Sequence, residues 1–380
     1  MKFNIQRNQL MESVQDVMKA ISSKTAIPIL SGMKIEVTEE GVTLTGSDSD
    51  ISIESFIPKE EDGIVYIDGI EPGSIVLQAK YFPDIVKKLP DQTVEMKSDD
   101  QFNVTIKSGH AEFNLNGQDA EEYPQLPKLK TENSFEISVD LLKDLIRQTV
   151  FAVSTSETRP ILTGVNMSIK DDKLHFVATD SHRLASRNIP IKDIQEQHIS
   201  NVIIPGKSLN ELNKILADTQ EKIEISVTDN QILFRTEHLY FLSRLLDGNY
   251  PETSRLIPEQ SKTNIVIDSK ELLHSIDRAS LLAKESRNNV VRLVTKENET
   301  LEISSNSPEV GKVQEEVKAD SIDGEELKIS FSAKYLMDAL KVINSEKVVI
   351  SFTGAMRPFI INPIENSDEI LQLILPVRTY

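Results

Sequence analysis

The sequence predicts an α+β protein made of three copies of one domain, each with two helices packed on antiparallel sheet. Three observations predict it. Ala26-Ile27-Pro28-Ile29-Leu30-Ser31-Gly32-Met33 returns 132 residues later as Thr158-Arg159-Pro160-Ile161-Leu162-Thr163-Gly164-Val165. Ala79-Lys80-Tyr81-Phe82, Gly206-Lys207-Ser208-Leu209 and Ala333-Lys334-Tyr335-Leu336 recur every 127 residues. Each copy also runs through the same order of helical and alternating apolar patterns. A period this long belongs to a domain rather than to a solenoid unit. The copies fall at 1–126, 127–253 and 254–380, and Tyr123-Pro124 and Tyr250-Pro251 mark the first two exits.

Within a copy, a short strand comes first and a helix follows. Phe3 and Ile5 alternate, and then Leu10, Val14, Val17, Met18 and Ile21 follow at helical spacing. The second copy repeats this with Phe135, Ile137 and Val139, then Leu142, Leu145, Ile146 and Val150. The third does so with Ile265 and Ile267, then Leu272, Ile276, Ala279 and Leu282. Met33–Val37 and Val42–Gly46 alternate around Glu40-Gly41, the pattern of a hairpin. A second helix is expected at Ser74–Leu89, Ser208–Leu216 and Ser332–Ile343. Two strands then close the copy, as at Thr93–Met96 and Asn103–Lys107, or Lys222–Val227 and Gln231–Thr236. Helices set against antiparallel strands in this order give the α+β class.

Composition narrows the function. The chain has 380 residues, 39% of them hydrophobic and 27% charged, and no apolar run reaches the length of a membrane span. Met1–Arg7 has no apolar core of a signal peptide. With no cysteine there is no disulfide or thiolate chemistry, which fits a cytoplasmic location. A net charge of −18 by itself argues against a nucleic-acid partner. The distribution says otherwise. The predicted helices, taken as 7–24, 73–89, 138–156, 205–217, 268–286 and 331–345, hold 15 Lys/Arg against 11 Asp/Glu, while the rest holds 27 against 49. Lysine also decorates ordinary solvated helices. A basic set of helices on an acidic protein nonetheless suits a surface that meets phosphate without reading bases.

Several motifs suggest chemistry and fail. Ile204-Pro205-Gly206-Lys207-Ser208 sits between strand and helix, but Asn201 stands where a phosphate loop needs its first glycine and Pro205 removes a donor. Asp180-Ser181-His182 holds the residue types of a hydrolase triad. Adjacent residues rarely converge, and the other copies place Asp48-Ser49-Asp50 and Asn306-Ser307-Pro308 there, so a polar turn is expected. The six histidines show no paired metal spacing, and neither a metal nor another cofactor is expected.

Along its whole length the chain resembles the bacterial DNA polymerase III beta subunit family, the sliding clamps. Met1-Lys2-Phe3, Pro28-Ile29-Leu30, Thr179-Asp180-Ser181-His182-Arg183-Leu184-Ala185, Asn249-Tyr250-Pro251 and Leu375-Pro376-Val377-Arg378 carry the resemblance. It implies a head-to-tail homodimer, a ring of six domains lined by helices, that encircles double-stranded DNA without sequence preference. It implies no catalysis. The ring is loaded by a clamp loader and tethers the polymerase alpha subunit. Other polymerases and mismatch-repair proteins dock through short peptides, and no membrane is involved.

The same resemblance assigns site residues. A partner-peptide pocket would use Leu162, Thr179, Ser181, His182, Arg183, Leu184, Pro251, Arg255, Leu256, Tyr335, Met356, Leu375, Pro376, Val377 and Arg378. Many family members carry glycine at the position of Ser181. Lys24, Lys80, Lys87 and Ser156 would face DNA, and Phe113 and Leu115 would meet Leu281 and Leu282 of a second copy. Two other classes remain to be weighed. A protein-binding scaffold without a DNA role fits the acidic charge, and an enzyme would need His182 for its activity.

Overall fold

The computed structural model describes residues 1–127, 134–191, 199–283 and 289–378. It divides into two compact units, one of residues 1–140 and 214–245, the other of 141–213 and 246–380. The units follow shared sheets, and the second repeat contributes strands to both.

In the first unit an eight-stranded antiparallel sheet runs in the order 134–138, 222–227, 231–235, 239–244, 51–58, 41–47, 32–37 and 73–78. Its midpoint joins two copies of the repeat, where Phe241 faces Ile53 and Leu239 faces Ser55. A five-stranded sheet (111–116, 103–108, 93–98, 2–6, 67–71) completes the unit. In the second unit a nine-stranded sheet makes the corresponding joint, with Arg183 opposite Ile374 and Arg187 opposite Ile370. Its four-stranded sheet runs 311–318, 300–307, 290–296 and 328–332.

Among the described residues six α-helices cover these sheets: α1 (Arg7–Val17), α2 (Phe82–Lys88), α3 (Val139–Thr149), α4 (Gly206–Ile215), α5 (Ser269–Ala283) and α6 (Ala333–Val342). In α1 the buried side chains are Leu10, Ser13, Val14 and Val17, one stripe at helical spacing. Asp268 caps α5, its Oδ1 accepting from the backbone N–H of Lys270 (2.9 Å) and Glu271 (2.8 Å), as a good N-cap does. Leu272, Ile276 and Ala279 of α5 and Leu336 and Leu340 of α6 enter one core with Phe331, Phe352 and Phe359. No helix among the described residues is long and apolar enough to cross a membrane.

Two expectations change. The predicted helix over Ser74–Leu89 is a strand, Gly73–Gln78, followed by the short α2. Ile75, Val76 and Leu77 are all buried, and the strand pairs with Gly32–Val37 along its full length. Its apolar run is contiguous because both faces are covered. The first helices also stop early. α1 gives way to a 3₁₀ turn at Met18–Ala20 and α3 to one at Val150–Ala152, which leaves Lys24 in a loop. Residues 284–286 of the predicted fifth helix lie outside the described residues. With these bounds the six helices carry 11 Lys/Arg against 9 Asp/Glu, so the helical excess is two rather than four.

The repeated Pro-Ile-Leu-Ser/Thr-Gly segment forms one local structure twice. Ser31 Oγ donates to Pro28 O and Thr163 Oγ1 donates to Pro160 O, each at 2.7 Å, inside a 3₁₀ turn. The glycine that follows is required by packing. A Cβ on Gly32 would sit 2.5 Å from Val76, and one on Gly164 2.7 Å from Ile203.

Candidate functional site

In the second unit, strand 173–179 turns into strand 183–190 through Asp180-Ser181-His182. Asp180 Oδ1 accepts from the N–H of His182 (2.9 Å) and Arg183 (3.0 Å), and Thr179 Oγ1 accepts from Ser181 N (3.2 Å). The three residues of the apparent triad are thus a turn. Ser181 has φ 78°, the left-handed region that favours glycine. Its Oγ accepts from Arg159 Nη1 at 3.2 Å.

Arg183 points inward and organises the region. Its Nε donates to Asp180 (3.1 Å), Nη1 to Asp338 on α6 (2.7 Å) and Nη2 to Phe151 O (2.7 Å). The guanidinium lies over the ring of Tyr335, 4.5 Å from its centroid, and 5.3 Å from that of Phe151. Five donors in a planar fork make arginine the residue for such a junction, which lysine cannot copy. Burial, first, and the neighbouring Asp180 push the Tyr335 hydroxyl up from its usual pKa, so it stays a neutral donor and acceptor.

Beside this junction opens a cavity of about 440 Å³, lined by His182, Asn289, Ser332, Lys334, Tyr335, Leu375, Pro376 and Val377. The tail is held against it. Leu375 N donates to His182 O (2.9 Å) and Val377 N to Ser330 O (2.7 Å). Five of the expected pocket residues therefore share one cavity: His182, Tyr335, Leu375, Pro376 and Val377.

The remaining expected residues take other places. Leu162 and Leu184 are buried, and Thr179 is buried with its N–H on Tyr250 Oη at 3.0 Å. Thr179 Oγ1 also donates to Arg183 O at 2.6 Å. Pro251, Arg255, Leu256, Met356 and Arg378 are exposed and do not line it. Arg255 pairs with Glu252 at 2.9 Å. Asn289, Ser332 and Lys334 were not anticipated. The recurring Ala-Lys-Tyr at 333–335 was the available signal for Lys334. The cavity combines aliphatic walls with a cation and an imidazole, a lining that suits an apolar segment bearing a carboxylate.

Elsewhere, Lys24, Lys80, Lys87 and Ser156 are all exposed. Lys80 Nζ rests 5.1 Å from the Tyr81 ring centroid. Phe113 and Leu115 are half-buried on the edge strand 111–116. Leu281 on α5 is 61% exposed and Leu282 is half-buried. No three His, Asp or Glu groups among the described residues are arranged to hold a metal ion.

Comparison with known proteins gives three consecutive family matches. Residues 1–127, 136–252 and 254–378 match the N-terminal, central and C-terminal domains described for the DNA polymerase III beta subunit. A beta sliding clamp of Bacillus subtilis is 60% identical over 380 residues, 100% of both chains, and one of Staphylococcus aureus is 50% identical over the same span. A crystal structure of the DNA polymerase sliding clamp from Bacillus subtilis has a TM-score of 0.95 at 59% identity, covering 100% of each chain. The beta subunit from the Streptococcus pyogenes DNA polymerase has a TM-score of 0.94 at 41% identity with the same coverage.

Proposed function

The chain belongs to the DNA polymerase III beta subunit family, and from that premise we propose that two copies close head-to-tail around duplex DNA as a ring of six domains, 1–126, 127–253 and 254–380 in each. It is a sliding clamp, a processivity factor rather than a catalyst. The observation that carries this is the match of all three repeats in order along the whole chain.

The mechanism needs no chemistry. A closed ring holds DNA by topology, so contacts to phosphate can be weak and blind to sequence, and the ring can slide. Lys24, Lys80, Lys87 and Ser156, all exposed, are the residues that face the duplex in this reading. A polymerase tethered to the ring is kept at high effective concentration at the primer end. The tether is a short peptide in the cavity beside His182 and Tyr335, with its aliphatic side chains against Leu375 and Val377 and its carboxylate toward Lys334. Arg183 and its partners hold that wall in shape. The alpha subunit, the clamp loader, other polymerases and mismatch-repair proteins would take turns there, in the cytoplasm.

Sheet edges support the joint. Strands 111–116 and 311–318 each end a sheet with unpaired backbone groups, and α5, with Leu281 exposed, packs on the latter strand. Edges of this kind are usually covered. A head-to-tail contact whose rotation closes yields a ring and not a fibre.

Topology gives the test. Loaded by its loader onto a nicked circle, the protein stays bound, and cutting the circle releases it. Equal retention on circle and linear DNA, or on neither, overturns the ring.

A further inference from the structure

The repeat allows the two joined sheets to be compared position by position. Strand 51–58 corresponds to 183–190, and 239–244 to 370–374. Phe56 N donates to His238 O and Asn188 N donates to Glu369 O, both at 2.8 Å. Ser55 faces Leu44 on one side and Leu239 on the other, as Arg187 faces Phe176 and Ile370. The backbones match, and the side chains do not.

In the second unit this place is filled. Arg187 is 9% exposed and its Nη1 lies 2.6 Å from Glu369 Oε2. In the first unit the two positions hold Ser55 and His238. Ser55 Oγ donates instead to Ser13 Oγ (2.9 Å), and His238 Nε2 lies 2.7 Å from Glu61 Oε1. The buried Nδ1 of His238 has no hydrogen-bond partner among the described residues.

A cavity of about 230 Å³ opens here, with Glu12, Asp16, Glu61 and Glu221 in its walls beside the rings of Phe56 and Tyr66. Among the described residues no lysine or arginine lines it. Phe56 stacks on the His238 ring, with centroids 6.3 Å apart and planes at 22°. Burial pushes the Asp16 carboxyl up from its usual pKa even though Lys19 is 2.7 Å away, a desolvation that a second cation would relieve.

We propose that this cavity receives the guanidinium of an arginine side chain presented by a partner protein segment, in the place that Arg187 occupies in the second unit. Carboxylates on several walls supply the charge, and the aromatic faces suit a planar cation. A metal ion is the poorer occupant, because no three of the described carboxylate and imidazole groups are placed to share one. The site is separate from the peptide cavity of the second unit and does not depend on ring closure.

The full chain is titrated with N-acetyl-arginine-amide, its citrulline counterpart, spermidine and magnesium chloride, while the His238 ring resonances are followed by NMR. The arginine compound should give saturable shifts and bind at least about tenfold tighter than citrulline, the difference a charged partner makes. S55R places the chain's own guanidinium in the cavity and should abolish the response while the protein stays on nicked circles. E61Q, which keeps the wall's shape, should weaken binding several-fold and serves if S55R does not fold. Saturation by citrulline, an equal response to spermidine or magnesium, or full binding in E61Q overturns the proposal.

Discussion

Ser49 and Ser181, 132 residues apart, hold the same left-handed backbone, each at φ 78°. The surrounding bonds repeat as well. Ser47 Oγ accepts from Ser49 N and Thr179 Oγ1 from Ser181 N, both at 3.2 Å. Asp48 Oδ1 takes the N–H of Asp50 and Ile51 as Asp180 Oδ1 takes those of His182 and Arg183. One repeat-encoded turn therefore accounts for the residues that look like a triad. The side-chain bonds hold serine in a conformation that costs an L-residue about 1–2 kcal/mol.

Ser181→Gly relieves that cost, while it loosens the unfolded chain by about 0.4–1 kcal/mol and loses the bond to Arg159. The expected net change is within about 1 kcal/mol. Ser181→Val, β-branched and without the hydroxyl, should lose about 1–2 kcal/mol. Urea unfolding of the two variants checks this. A valine variant as stable as the parent would mean that the turn is unstrained.

Arg183→Ala leaves Asp180 and Asp338 facing an emptied, largely buried site, with side-chain exposures of 13% and 25%. Removing one member of such a network costs about 3–5 kcal/mol. Arg183→Lys keeps the charge but cannot reach Asp180, Asp338 and Phe151 O together, so a loss of about 1–3 kcal/mol is expected. Thermal unfolding ranks the three proteins. Equal losses for alanine and lysine would remove the fork geometry from the explanation.

Asp16 sets a pH dependence whose sign follows from its environment. Burial raises its pKa above the usual aspartate value, more than Lys19 lowers it. Between the unfolded value and the raised one, the folded chain binds a proton that the unfolded chain has released. Its contribution to stability therefore declines as pH rises through that interval and is lowest above it. Asp16→Asn removes this slope. Unfolding across pH 3.5–7 should show the asparagine variant gaining on the parent as pH increases. A gap independent of pH would place the raised value in doubt.

Much of the fold was legible because its signals are local. Phe3 and Ile5, Met33–Val37 and the stripe of α1 each declare their period within a few residues. Ile75-Val76-Leu77 did not, since a contiguous apolar run reads equally as buried strand or buried helix. The pairing of Ile53 with Phe241 was also hidden. Sheet partners nearly 190 residues apart are chosen by tertiary packing. At the site, the turn at 180–182 and the tail at 375–377 stood out as sequence. The bond from Arg183 to Asp338 and the places of Asn289 and Ser332 depend on α6 and its neighbouring strand meeting that turn.

Leu281 and Leu282 allow the joint to be tested without disturbing the fold. Leu281 is 61% exposed on α5, so its truncation removes little from the core of its own chain, and Leu282 is only half-buried. In the proposed ring both meet Phe113 and Leu115 of the other copy, and the two-fold axis places one such contact at each of the two joints. Burying a leucine is worth about 1.5–3 kcal/mol. Leu281→Ala with Leu282→Ala should therefore weaken each joint by roughly 2–5 kcal/mol, and a closed dimer feels both. Sedimentation velocity should show the parent as a dimer of about twice 42.7 kDa and the variant as a monomer at the same concentration. Circular dichroism should show the fold unchanged. A variant that stays dimeric on dilution would move the joint away from α5, whereas a parent that is itself monomeric would remove the ring.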